Sequence, residues 1–124
     1  MLAEGDPSRR SKAGRAAMKQ DSFKDFVLDQ LSDLRGVTCR AMFGGYGVYQ
    51  GDVFFGIIHR GRLFFKTHDR TRPAYVKKGM KPFRPNAKQT LKTYYEVPVD
   101  IIEDHEQLTG WAEQSAGQSG QAVG

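Results

Sequence analysis

The chain has 124 residues and a hydrophobic fraction of 39%, enough apolar material for one domain and too little for two ordinary ones. Its single cysteine, Cys39, excludes an internal disulfide and fits a reducing compartment; no apolar run approaches a membrane span or a signal-peptide core, so a soluble cytoplasmic protein is expected. The net charge of +5 conceals a strong polarity along the chain: residues 60 to 92 hold eleven basic groups against Asp69 alone, whereas residues 21 to 33 hold four acids against Lys24 and residues 96 to 113 hold six acids and no Lys or Arg.

Residues 1 to 20 combine Gly, Ser, Ala, Arg and Lys with little apolar bulk, which predicts a disordered basic tail and makes Met18 an alternative start. Such a tail is either an unstructured extension or a segment that touches nucleic acid. From Asp21 or Ser22 to Arg35, Phe23, Phe26, Val27, Leu31 and Leu34 recur at helical spacing, and Gly36 is the expected stop. Asp21, Asp25, Asp29 and Asp33 fall on one face of that helix. They form either a solvated stripe or a docking surface for a basic partner or for the basic half of the same domain.

Three aromatic and β-branched runs follow, Met42 to Tyr49, Val53 to Ile58 and Leu63 to Lys66, and predict a three-strand meander that nucleates the fold. Gly44, Gly45 and Gly47 interrupt the first run. Glycine weakens a strand, so at least one of them should take positive φ or face a neighbour too close for a Cβ. Next, Thr67 or Asp69 can cap a short helix through about Lys78, with Pro73 in its first turn and Gly79 at its end. Pro82 and Pro85 then break an irregular basic stretch. Thr90 to Val97 alternates as a strand with one buried face. Pro98 to Glu103 has room for one helical turn, and Asp104 with Gln107 reads as the capping box of a last helix carrying Leu108, Trp111 and Ala112. Trp111 should lock that helix onto the sheet, and residues 117 to 124 form a second disordered tail. The expected fold is α+β: an antiparallel sheet of four or five strands packed with an N-terminal, a middle and a C-terminal helix, within a domain over residues 21 to 116.

Few residues suggest chemistry. Gly44-Gly45-Tyr46-Gly47 is followed by aromatic and β-branched residues, where a phosphate loop would open a helix. His59, His68 and His105 lack metal-ligand spacing with one another or with Cys39. Arg40 beside Cys39 could favour the thiolate, yet no base or orienting group accompanies it. Glu103 and Asp104 abut a helix start, where capping accounts for them. No catalytic, cofactor-binding or metal residue is therefore assigned. The basic segment has Phe64, Phe65, Tyr75, Phe83, Tyr94 and Tyr95 interleaved, which fits either a sheet core with a cationic edge or a nucleic-acid surface. No helix-turn-helix or zinc-finger pattern accompanies it, and nucleic-acid-binding residues stay unassigned.

Arg40-Ala41-Met42-Phe43-Gly44-Gly45-Tyr46-Gly47-Val48-Tyr49, with Gly51, Phe55, Leu63-Phe64-Phe65-Lys66, Phe83, Tyr94-Tyr95-Glu96-Val97-Pro98 and Leu108, Trp111 and Ala112, resembles the N-terminal domain of the TfoX/Sxy family of bacterial competence regulators. The likeness runs in order from about Ser22 to Ala116. It implies a fold related to the type III secretion chaperone-like group and a non-enzymatic regulator that acts on transcription through protein contacts, the family's competence regulator working with the CRP activator. It also implies that longer members carry a helical C-terminal domain beyond the stretch matched here. Two other functions fit the residues: a direct, weak nucleic-acid-binding module, and a small homodimeric adaptor or chaperone-like domain.

Overall fold

The computed structural model describes residues 15–42 and 44–120. Among them, alternating aromatic and β-branched side chains build one antiparallel sheet of six strands. The strands are β1 (Val37–Met42), β2 (Gly45–Gln50), β3 (Val53–His59), β4 (Arg62–Lys66), β5 (Pro82–Asn86) and β6 (Gln89–Glu96), in the spatial order β1, β2, β3, β4, β6, β5. Four helices accompany them: α1 (Arg15–Gln30), α2 (Arg72–Lys77), α3 (Val99–Ile102) and α4 (His105–Gly120).

The core lies between the helices and one face of the sheet. Val27, Leu31 and Leu34 from α1 and the segment after it meet Val48, Phe55, Ile58, Leu63 and Phe65 from the strands. Leu108, Ala112 and Ala116, one turn apart on α4, complete the layer, and the small side chains of Ala112 and Ala116 let the helix lie close across β3 and β4. Each fully buried Phe or Leu contributes about 1.5 to 3 kcal/mol. The opposite face carries a second cluster, Ile57, Phe64 and Phe83, with Phe54, Leu91 and Tyr94 packed on it. Among the described residues, no helix contributes to that cluster. Its lid is the β5–β6 hairpin, whose pairing jumps from Pro82 opposite Tyr95 to Phe83 opposite Leu91, so the strands curl and carry Phe83 onto Phe64 at a ring separation of 4.6 Å.

A bulge in β3 lets one strand feed both clusters. Val48 opposes Gly56 and Tyr49 opposes Phe54, which leaves Phe55 as the extra residue. Phe54 and Ile57 thus join the helix-free cluster, while Phe55 and Ile58 join the helical core. Gly56 sits beside Phe55 on the core side, where a Cβ would come within 3.2 Å of Val48 Cβ and of Phe65 Cδ1. Ser115 of α4, itself buried, has its hydroxyl 3.1 Å from the Phe55 carbonyl and 2.9 Å from the Lys66 carbonyl, so its one proton serves both acceptors.

The architecture is α+β as expected, but six strands and four helices exceed the four or five strands and three helices read from the sequence. The run from Met42 to Tyr49 is not one strand: β1 ends at Met42, Gly44 turns the chain with φ of 71°, and β2 starts at Gly45. Pro82 and Pro85 lie within β5 because an edge strand has one side with no ladder to break. The fourth helix is the single turn α3 after Pro98. Boundaries also moved. Helix α1 ends at Gln30, with turns up to Gly36, whose φ is 72°. Thr71, rather than Thr67 or Asp69, occupies the α2 N-cap. Thr67 is buried, its hydroxyl donating to the Thr93 carbonyl at 2.9 Å. Phe26, placed on the apolar stripe by its spacing, is 42% exposed. Trp111 is only partly buried; it packs against the core that the helices share with the sheet and also meets Tyr75 of α2 edge-on at 4.6 Å, so it fastens helix to helix as well. Of the two tails, residues 1–14 and 121–124 lie outside the described residues, and residues 15–20 and 117–120 belong to α1 and α4.

Candidate functional site

The glycine phrase is architectural. A Cβ on Gly45 would collide with the Ile58 carbonyl oxygen, and one on Gly47 would lie 3.0 Å from Phe54 Cε1, 3.1 Å from Tyr49 Cε1 and 3.2 Å from Met42 Sδ. Both expected reasons for glycine, positive φ at Gly44 and close approach at Gly45 and Gly47, are present. These residues close a hairpin and do not open a helix. Tyr49, Phe54 and Tyr94 run across the helix-free face with ring separations of 5.1 and 5.6 Å, and the Arg40 guanidinium lies 4.3 Å from the Tyr49 ring centre.

That stacking answers the question about Cys39. Strand alternation turns Arg40 to the helix-free face and Cys39 to the core, so burial, not the neighbouring cation, governs the thiol and pushes it up to about 11. The expected thiolate character is reversed. The three imidazoles stand on different elements, at the end of β3, before α2 and at the start of α4. No group of three or more potential metal ligands occurs among the described residues. Asp104 caps α4 as its spacing predicted: its carboxylate accepts from the Gln107 N–H at 3.1 Å and from the Gln107 side-chain amide at 2.8 Å. Those bonds hold Asp104 below the usual carboxylate range.

A concavity of about 630 Å³ lies where the β3–β4 turn, the end of β6 and the start of β5 converge. His59, Arg60 and Arg62 come from the turn and its flanks, Lys81 and Arg84 from the opposite wall, and Glu96 from β6. Phe64, Phe83, Pro82 and Pro85 supply its apolar surface. Arg62 reaches the Glu96 carboxylate at 3.6 Å, and Arg84 donates to the Ala87 carbonyl at 2.9 Å, which fixes its guanidinium at the rim. The His59 ring meets Phe83 edge-on at 5.1 Å; burial first, then Arg60, lowers its pKa and favours the neutral ring. His59 and Arg62 are paired across a two-residue turn in which both Arg60 (φ 52°) and Gly61 (φ 74°) are left-handed. Hairpin turns of that shape favour Asn or Asp at the first position; an Arg there costs about 1 to 2 kcal/mol.

The basic segment is thus divided in space. Arg60, Arg62, Lys81 and Arg84 meet in the cleft, whereas Lys78 pairs with Asp100 at 3.1 Å and Arg72 with Asp69 at 3.2 Å. Asp33 pairs with His105 at 2.7 Å, Asp21 accepts from the Tyr46 hydroxyl, and Asp25 lies 3.4 Å from Lys24. Acids and bases are partly interleaved and partly segregated. The cations are evident in the sequence, but their meeting with Glu96 and Phe83 is not, since those residues converge only when the β5–β6 hairpin curls. The Arg-Gly pair in a two-residue hairpin slot was the one local signal of it.

No helix among the described residues is long and apolar enough to cross a membrane. Comparison with curated proteins finds no match. A family model described as the TfoX N-terminal domain matches residues 29–119, starting within α1 and ending within α4, and so takes in all six strands, the glycine hairpin and the cleft. The chain therefore belongs to the TfoX N-terminal domain family.

Proposed function

We propose that this protein is a non-enzymatic regulatory module that acts on transcription in a bacterial cytoplasm through contacts with another protein. The observation that supports this reading is the division of the basic segment. A duplex is gripped by cations that track its backbone over many phosphates, and here four of the segment's eleven cations line one cleft while Lys78 and Arg72 pair with acids outside it. A confined, partly apolar cleft suits a short segment of another protein better. Affinity capture from the native cell extract, with and without nuclease, tests the reading. A specific partner from the transcription machinery retained after nuclease treatment is the expected result, and capture that vanishes with nuclease overturns it.

One observation favours a second reading, direct but weak nucleic-acid binding: the cleft is cationic and lies on the face of the sheet whose cluster no described helix joins. Titration against mixed-sequence duplex at two salt concentrations separates the two. The protein-contact reading expects a Kd no tighter than about 10⁻⁵ M at physiological salt. Submicromolar binding with a steep salt slope would replace it.

A further inference from the structure

The cleft between the β3–β4 turn and β5 has three properties that together select a ligand. Its polar wall is cationic, Arg60, Arg62, Lys81 and Arg84 against Glu96. Guanidinium groups match carboxylates with two parallel hydrogen bonds, so a carboxylate-bearing ligand would be held in register as well as attracted. Its apolar wall is closed, because Phe64 and Phe83 are 6% and 5% exposed and pack on each other. Rings so covered offer no face on which a base could stack, although a side chain can still lie against their edges. Its size, about 630 Å³, accommodates a few residues and not a duplex. The neighbouring edge adds a fourth constraint: Pro82 and Pro85 remove two backbone donors from β5, so an incoming strand could not be held by a full main-chain ladder and must be recognised by its side chains.

We propose that this cleft is a docking site for an acidic peptide segment of a partner protein, the carboxylates of Asp or Glu side chains being read by Arg60, Arg62 and Lys81. The proposal rests on the protein-contact reading above and names the chemistry of the contact. Two details follow from it. Glu96 holds Arg62 in the unliganded cleft and must yield it when a peptide carboxylate arrives, so Glu96 sets a threshold on affinity. Arg60 stands in a left-handed conformation that Asn would occupy at ease, so at this turn binding and stability make opposite demands.

The test uses the full chain, isotopically labelled, titrated with a blocked hexaglutamate peptide and followed by amide chemical shifts, with hexaglutamine and a mixed-sequence duplex in parallel. The expected result is salt-sensitive shifts from hexaglutamate alone, confined to residues 59–62, 79–85 and 96. Glu96→Gln should tighten binding and Lys81→Gln weaken it, each by about five- to tenfold. Arg60→Asn should weaken binding by a similar factor while raising the melting temperature by about 2 to 5 °C, a combination that a purely structural role for Arg60 would not give. Shifts from the duplex alone at these residues, shifts from hexaglutamate elsewhere, or no shift from any probe would overturn the proposal. The titration is independent of any effect on transcription. A protein that binds hexaglutamate in the cleft but has no protein partner in the transcription machinery overturns only the regulatory reading, and one with such a partner and no shift overturns only the cleft.

Discussion

Gly45→Ala is the sharpest test of how the sheet is built. The new methyl lands on the Ile58 carbonyl oxygen, a backbone atom on the adjoining strand β3, and neither a flexible side chain nor a rotamer change can relieve the collision. Strand β2 must lift from β3 beside the Gly45–His59 pair. Overpacking against rigid surroundings costs about 1 to 3 kcal/mol, and loss of one ladder hydrogen bond adds about 1 kcal/mol. Stiffening the unfolded chain returns about 0.5 to 1 kcal/mol. The net of about 1 to 3.5 kcal/mol corresponds to a fall in Tm of roughly 4 to 13 °C for a domain of this size. Gly47→Ala is the matched control. Its methyl meets Phe54, Tyr49 and Met42 at 3.0 to 3.2 Å, all through side-chain ends that can move, so its cost should stay within about 1 kcal/mol. Thermal and urea unfolding followed by circular dichroism measure both. A Gly45→Ala protein melting within about 3 °C of the parent, or a Gly47→Ala protein that is the less stable of the two, would refute the close-approach argument.

Ser115→Ala leaves the buried Phe55 and Lys66 carbonyls without their shared donor and should cost about 1 to 3 kcal/mol, read as a lower urea midpoint at constant slope; an unmoved midpoint would mean those carbonyls find other partners. Trp111→Ala and Tyr75→Ala, combined in a double-mutant cycle, should couple by about 0.5 to 1.5 kcal/mol, and additive effects would dissolve the proposed α2–α4 fastening. His105 has its pKa raised, chiefly by the hydrogen bond to Asp33. The Asp33–His105 pair, which ties the turn after α1 to the start of α4, therefore stabilises the fold fully below the ordinary histidine value and loses its contribution as pH rises through the raised one. His105→Gln should flatten that decline in melting temperature between about pH 6 and 8, and an unchanged slope would show that other groups carry it.

Long, periodic segments were legible because one physical pattern governs each of them. The α4 stripe of Leu108 and Ala112 and the Asp104–Gln107 cap follow from spacing alone, whereas β6 does not alternate as its spacing suggests: Leu91 and Tyr94 pack on the helix-free cluster and Tyr95 on the helical core, so both of its faces are partly covered. What escaped were features decided by distant partners. The break after Met42 was hidden because Met and Phe have the same affinity for strands that their neighbours have. β5 was hidden by its prolines, whose exclusion holds for central strands and not for an edge. The β3 bulge leaves no local mark, since Phe54, Phe55 and Ile57 are all apolar and only cross-strand register assigns them to opposite faces. The cleft was half legible: its cations were evident as charge, but their concentration at one spot depends on the curl of the β5–β6 hairpin and on which lysines find acids elsewhere.

The two borders of the sheet are guarded unequally. Edge strand β5 contains two residues without a backbone donor, Pro82 and Pro85, whereas β1 has no proline, and Arg40 is its only charged side chain. An open strand of that kind is a template for pairing with a neighbouring molecule, and a lone charge is among the cheapest deterrents. Arg40, held over Tyr49, is the one charge this border carries, and edge-strand physics leads us to expect that it discourages separate copies from extending one another's sheets. Replacing it with Val or Thr should leave the folded monomer's spectrum intact and make light scattering rise with concentration, the mark of a surface that has lost its guard rather than a core that has lost its packing.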